Sequence, residues 1–185
     1  MRNTYITSYL PLLSIILFSL SFAIYLENQS LIILKKTGLY EGLLEFFSEV
    51  EIKLIILIVI FILFFMMLSS IKLISDTVLQ LGLLLFSKEI SGESLKSARL
   101  TSIIYCTGGM LSVFCSFSIY AVSLVFFITS MIAFTYIVYK ASFYLSAGGL
   151  VGFVFFQTFS VGAILAGISY LAIKFYNGLL ASLPI

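Results

Sequence analysis

From Thr101 to Tyr139 the chain runs for 39 residues without a formal charge. One helix of that length would measure about 58 Å at 1.5 Å per residue, against a bilayer hydrocarbon core of ~30 Å. The run is therefore expected to fold back on itself as two membrane helices joined by a tight turn, placed at Phe117 to Val122. Composition supports a membrane setting for the whole chain. Of its 185 residues 62% are apolar and 10% charged, with a mean hydropathy of +1.22, whereas a soluble domain has about 45–50% and about 25%. The expected fold is all-α: one polytopic helix bundle over residues 1–185, with about five transmembrane helices and a short amphipathic interfacial helix.

The spans fall at about 9–26, 54–73, 102–118, 121–139 and 148–173. The first opens with Tyr9 and Pro11 and closes at Glu27; Pro11 is read as a first-turn residue, where a missing N–H is tolerated. The second is bracketed by Lys53 and Lys72, and the fifth ends at Lys174. Tyrosines mark membrane boundaries: Tyr9 and Tyr25 at the ends of the first span, Tyr105 near the start of the third, Tyr120 in the hairpin, Tyr136 and Tyr139 at the end of the fourth, and Tyr170 at the end of the fifth. Leu73 to Phe86 is also apolar but holds Asp76 and Gln80. It reads as a continuation of the second span or an interfacial helix; a sixth crossing would bury Asp76, which is costly. Arg2, the apolar stretch and Ser21-Phe22-Ala23 imitate a signal peptide. The run continues to Leu26, so it is expected to stay as an anchor.

Five crossings put the ends on opposite sides. Arg2, Lys72, Lys88, Lys96, Arg99 and Lys140 then share the N-terminal side, and Lys35, Lys36, Lys53 and Lys174 the other. The positive-inside rule places the N-terminus in the cytoplasm and the C-terminus outside. In the loop Glu27–Lys53, Glu41, Glu45, Glu49 and Lys53 recur every four residues opposite Leu43, Leu44, Phe46, Phe47 and Val50, the pattern of an interfacial helix. In the loop Ser87–Arg99, Ser91-Gly92 marks a turn and Ser94 a candidate N-cap.

Composition narrows the chemistry. With no histidine, His-based acid–base catalysis, His metal sites and a His proton relay are absent. Cys106 and Cys115 are too few for a four-cysteine metal site, and nine helical steps apart they face away from each other. A lone aspartate, Asp76, excludes a paired-aspartate protease. Gly167-Ile168-Ser169 resembles a serine-protease motif without a base to activate Ser169. There is no phosphate-binding glycine loop and no basic cluster for nucleic acid. No cofactor is expected; the partners expected are the lipid bilayer and another membrane protein or a second copy.

Helix-packing positions are assigned to the fifth span. Gly148 and Gly152, Gly162 and Ala166, and Ala163 and Gly167 have small-xxx-small spacing, which allows helices to approach closely where lipid removes the hydrophobic drive. That makes span five the expected centre of the bundle. Gln157 and Thr158 are its most polar pair. Lys72 and Asp76, four residues apart, form an ion pair or a snorkelling pair at the boundary. Gln157, Lys72 and Asp76 are thus the candidate polar site. Ser102, Thr107, Ser112 and Ser116 in span three can bond to their own helix.

The opening Asn3-Thr4-Tyr5, then Lys72-Leu73-Ile74, Leu145-Ser146-Ala147-Gly148-Gly149, Phe175-Tyr176-Asn177 and Ala181-Ser182-Leu183-Pro184 carry a resemblance. The chain resembles the YufK-like group, small integral membrane proteins of Bacillus-type bacteria without an assigned function. The resemblance implies a multi-pass cell-membrane protein and supplies no catalytic or binding residue. Two functions remain in view: a non-enzymatic accessory or partner-binding component, and a binding or transport subunit for a small neutral or hydrophobic molecule. A lipid-directed enzyme would need Asp76, Glu89 and Glu93 with nearby lysines, and their spacing does not require it.

Overall fold

The computed structural model describes residues 4–87 and 100–182. Among these residues there are helices and turns and no strand. The loop 88–99, with its expected turn and N-cap, lies outside the described residues.

Helix α1 (Thr4–Lys36) is 33 residues long and passes straight through Glu27. Its polar stretch 27–30 is followed by Leu31, which is buried against Tyr40 and Ile52, with Leu34, Leu43 and Ile56 packed around them. That small cluster rewards continued helix where a loop was expected. Pro11 lies two turns inside α1, not in its first turn; the Ser14 hydroxyl donates to the Pro11 carbonyl at 2.7 Å. The helix stops at Gly38, whose φ of 73° is left-handed backbone that glycine adopts without a steric penalty. Lys35 and Lys36 sit in the last turn, where the helix dipole favours cations, and Lys35 also lies 4.8 Å over the Tyr40 ring.

The expected interfacial helix is broken in two. Helix α2 (Leu39–Leu44) ends before Glu45, and helix α3 (Glu49–Phe86) begins after Ser48. The reason is a capping box. Ser48 accepts from the Glu51 N–H while the Glu51 carboxylate takes the Ser48 N–H at 2.8 Å. Glu41, Glu45 and Glu49 therefore do not share one helical stripe; the exposed Glu49–Lys53 pair survives at 2.8 Å.

Helix α3 is 38 residues, about 57 Å, so Leu73 to Phe86 is a helix extension. Helix α4 (Thr101–Phe114) has 14 residues, about 21 Å, less than a bilayer core. The hairpin turn comes at 115–118, ahead of its expected place, because Val122 is wholly buried inside helix α5 (Ile119–Ala141). Helix α6 (Ala147–Ser182) is the last described element. Among the described residues four helices (α1, α3, α5 and α6) have the length and apolar content to cross a membrane, and α4 is a shorter apolar helix.

The centre of the bundle is α1, not the fifth expected span. It packs on α4 and α3, α4 packs on α5, and α6 rests mainly on α3. A third of α1's apolar window is buried against 11% for α6. Small residues explain this. Ser19, Ser21 and Ala23 are fully buried, and Gly109 of α4 presses against Leu17 and the Ser14 carbonyl. Gly108 is pressed against Thr129 of α5 so closely that a Cβ there would overlap the Thr129 side chain.

Two outcomes are expected. Gly108→Ala lowers the unfolding midpoint in detergent, by overpacking of about 1–3 kcal/mol, and adding Thr129→Ala restores part of the loss. An unchanged midpoint in Gly108→Ala refutes the close approach. Ser48→Ala removes the cap and destabilises by about 1 kcal/mol, readable by the same melt.

Candidate functional site

Hydroxyl groups form the seam between α1 and α4. The Ser21 and Ser112 hydroxyls stand 2.8 Å apart, each also within hydrogen-bond distance of a carbonyl of its own helix, Leu17 and Gly109; with one proton apiece, one serine donates across the seam while the other donates to its own carbonyl. Thr129 donates to the Val125 carbonyl. Thr107, Ser116 and Thr158 likewise donate to carbonyls three or four residues earlier. In a bilayer, where water is absent, such bonds satisfy the hydroxyl and hold helices together. These groups are structural. Among the described residues, two buried side-chain polar atoms have no partner, the Ser19 hydroxyl and the Gln157 side-chain carbonyl oxygen.

The packing positions divide. A Cβ on Gly152 would stand 2.5 Å from the Phe86 ring, so this glycine admits Phe86. The neighbouring Gly149 meets the Phe86 carbonyl and Ser146. Gly148, Gly162 and Gly167 meet nothing within 4 Å, and Ala163 and Ala166 are exposed. Only the first turns of α6 pack within the chain. The small-residue face at 162–167 was read as the bundle's seam, but this protein leaves it uncovered, because α6 leans on α3 through Phe153 and Phe156 at Gly82.

Lys72 and Asp76 are joined by an ion pair on α3. Their depth follows from aromatic contacts. Phe22 of α1 stacks on Phe64 of α3 at 5.0 Å, and Phe18 meets Phe126 of α5 edge-on at 5.1 Å. Both α3 and α5 run antiparallel to α1. Four residues back from Phe22 to Phe18, and four on from Phe126 to Ser130, bring Lys72 level with Ser130. Ser130 lies eleven residues from either end of α5. The pair thus sits near the mid-level of α5, with Asp76 one turn, about 6 Å, further along. The sequence placed it at the boundary, since Lys72 closes the most hydrophobic stretch. Exposed apolar side chains nevertheless continue beyond it: Leu73, Ile74, Leu81, Leu84 and Leu85.

Two further residues come to this level. Tyr105 of α4 interacts with Ser130 and lies within electrostatic reach of Asp76. Sequence reasoning took Tyr105 for a boundary tyrosine, since it stands near the start of an apolar run; it is half-buried among three helices. Gln157 is the fourth residue after Phe153, which packs at Gly82. The antiparallel register of α6 on α3 places Gln157 opposite residue 78, within a turn of Asp76. The candidate residues Gln157 and Asp76 therefore lie within about 3 Å of each other in depth, with Lys72 one turn from Asp76. Cys106 is buried and Cys115 stands at the hairpin, both as free thiols. Among the described residues no three Cys, Asp or Glu side chains converge as a metal site.

An apolar helical bundle with a few polar groups inside it is an integral membrane protein. The comparisons give the same class and then the family. The chain belongs to the family of unknown function DUF5366, matched over residues 27–184. It is 38% identical over 185 residues, the whole of both chains, to a protein of Bacillus subtilis (strain 168) described as "Uncharacterized membrane protein YufK". No solved structure matches.

The divided α6 face makes a prediction. Gly152→Ala displaces the Phe86 ring and destabilises by about 1–3 kcal/mol, while Gly162→Ala leaves the melting midpoint of the purified monomer within about 0.5 kcal/mol of the parent. Equal effects would contradict the contacts described.

Proposed function

We propose that this protein is a non-enzymatic component of the cell membrane that binds another membrane protein through α6. The observation that carries this reading is the uncovered face at Gly162, Ala163, Ala166 and Gly167. Close backbone approach drives helix association in lipid, and glycines and alanines at this spacing are the residues that permit it. A helix whose first turns pack at home and whose second half offers small residues suits a partner's transmembrane helix. In this reading the chain is one transmembrane domain, with the N-terminus in the cytoplasm and the C-terminus outside, as the distribution of lysine and arginine favours. The absence of histidine and of a second aspartate supports a non-catalytic role.

Two measurements test it. Purification of tagged protein in mild detergent is expected to recover a stoichiometric membrane partner, or a homodimer, that Gly162→Leu with Gly167→Leu abolishes without lowering the melting midpoint. A monomer without a partner before and after substitution overturns the reading. For sidedness, Lys36→Cys and Lys96→Cys are expected to react with an impermeant thiol reagent from opposite faces; labelling from one face overturns it.

A further inference from the structure

The ion pair on α3 poses a physical problem that its neighbours answer. The Lys72 and Asp76 side chains are 31% and 46% exposed, yet they stand among exposed apolar residues, with Leu63, Met66 and Met67 before them and Leu84 and Leu85 after. Charged groups left against acyl chains are expensive, and intramembrane charges face a polar cavity or a polar partner. Tyr105, hydrogen-bonded to Ser130, lies within electrostatic reach of Asp76. At the same level Gln157 keeps a side-chain carbonyl oxygen with no hydrogen-bond partner, although the residue is 95% buried (5% exposed). A buried acceptor left empty costs stability unless something donates to it.

We propose that Lys72, Asp76, Tyr105, Ser130 and Gln157 form a binding site within the membrane, reached by water from one face, for a small zwitterion of zero net charge. The charge balance selects the ligand class. One fixed cation and one fixed anion neutralise each other in the empty site. A solute carrying a single charge would leave one of the three charges without a counter-ion in a low-dielectric setting. A zwitterion exchanges the internal pair for two external ones, its ammonium on the Asp76 carboxylate and its carboxylate on the Lys72 ammonium, with the net charge unchanged. Its remaining N–H groups have the Gln157 oxygen to donate to, and the hydroxyls of Tyr105 and Ser130 serve as donor or acceptor. No bond is made or broken. This site lies apart from the 162–167 face and does not depend on the partner-binding reading.

The test uses full-length protein in nanodiscs, with Cys106→Ala and Cys115→Ser as background. Asp76→Cys is expected to react with a charged, membrane-impermeant thiol reagent at least ~10-fold faster than Met67→Cys, which is exposed among apolar side chains on the opposite face of α3. Equal, lipid-like reactivity would overturn water access. Glycine and 4-aminobutyrate serve as zwitterionic probes, with acetate and methylammonium as single-charge controls. Either zwitterion is expected to raise the melting midpoint of the parent protein where the controls do not. Asp76→Asn and Lys72→Met are each expected to weaken that effect by about tenfold or more, the loss of one charge contact. The exchanged double variant Lys72→Asp with Asp76→Lys is expected to keep it. Stabilisation by acetate or methylammonium equal to that by the zwitterions overturns the proposal, and so does no stabilisation by either zwitterion.

Discussion

The approach of α1 to α4 is the contact on which the rest of the bundle depends. In water two apolar helices are driven together by the release of solvent; in lipid that drive is missing, and contact must come from backbone proximity and hydrogen bonds. Here both are supplied at one seam, by Gly109 on one helix against Ser14 and Leu17 on the other, with the Ser21–Ser112 bond across it. Because α4 is joined to α5 by a four-residue turn at 115–118, fixing α4 also fixes α5. Thr129 then seats against Gly108, and Phe126 reaches Phe18. The other half of the protein is tied on through Phe22 and Phe64, and α6 through Gly82 and Gly152.

The aromatic contacts set the vertical register as well as the packing. A chain whose α3 were positioned by its own hydrophobicity would put Lys72 at a headgroup boundary. Held to α1 and α5, the same helix carries Lys72 and Asp76 toward the middle of the bundle, and Asp76 within electrostatic reach of Tyr105. A local preference is overridden by tertiary contact, and a residue pair that looks peripheral in sequence becomes internal.

Much of the fold was legible because lipid imposes length and hydropathy on each crossing. The uncharged run from Thr101 had to turn, and it does. Gln157, Lys72 and Asp76 stood out because polar groups in apolar stretches are few. What escaped the sequence was of a different kind. Tyr105 looks like a boundary ring, and nothing in the sequence singles out Ser130; only the packing of α4 on α5 brings the two together. The serines of α1 carry the central packing, yet the glycines of α6 are the stronger pattern on paper. The Ser48–Glu51 capping box was present in the text, but the four-residue repeat of glutamates hid it. Periodicity alone does not show where one helix ends and the next begins.

The length of α3 has a mechanical side. From Glu49 to Leu81 it contains neither glycine nor proline, so it continues as one helix far longer than the slab it crosses. A helix of that length meets a thinner or thicker bilayer by leaning. Its angle is coupled at one end to the capped turn at Ser48 and at the other to the Phe153 ring seated on Gly82. A change in the lean of α3 therefore acts on both of these contacts.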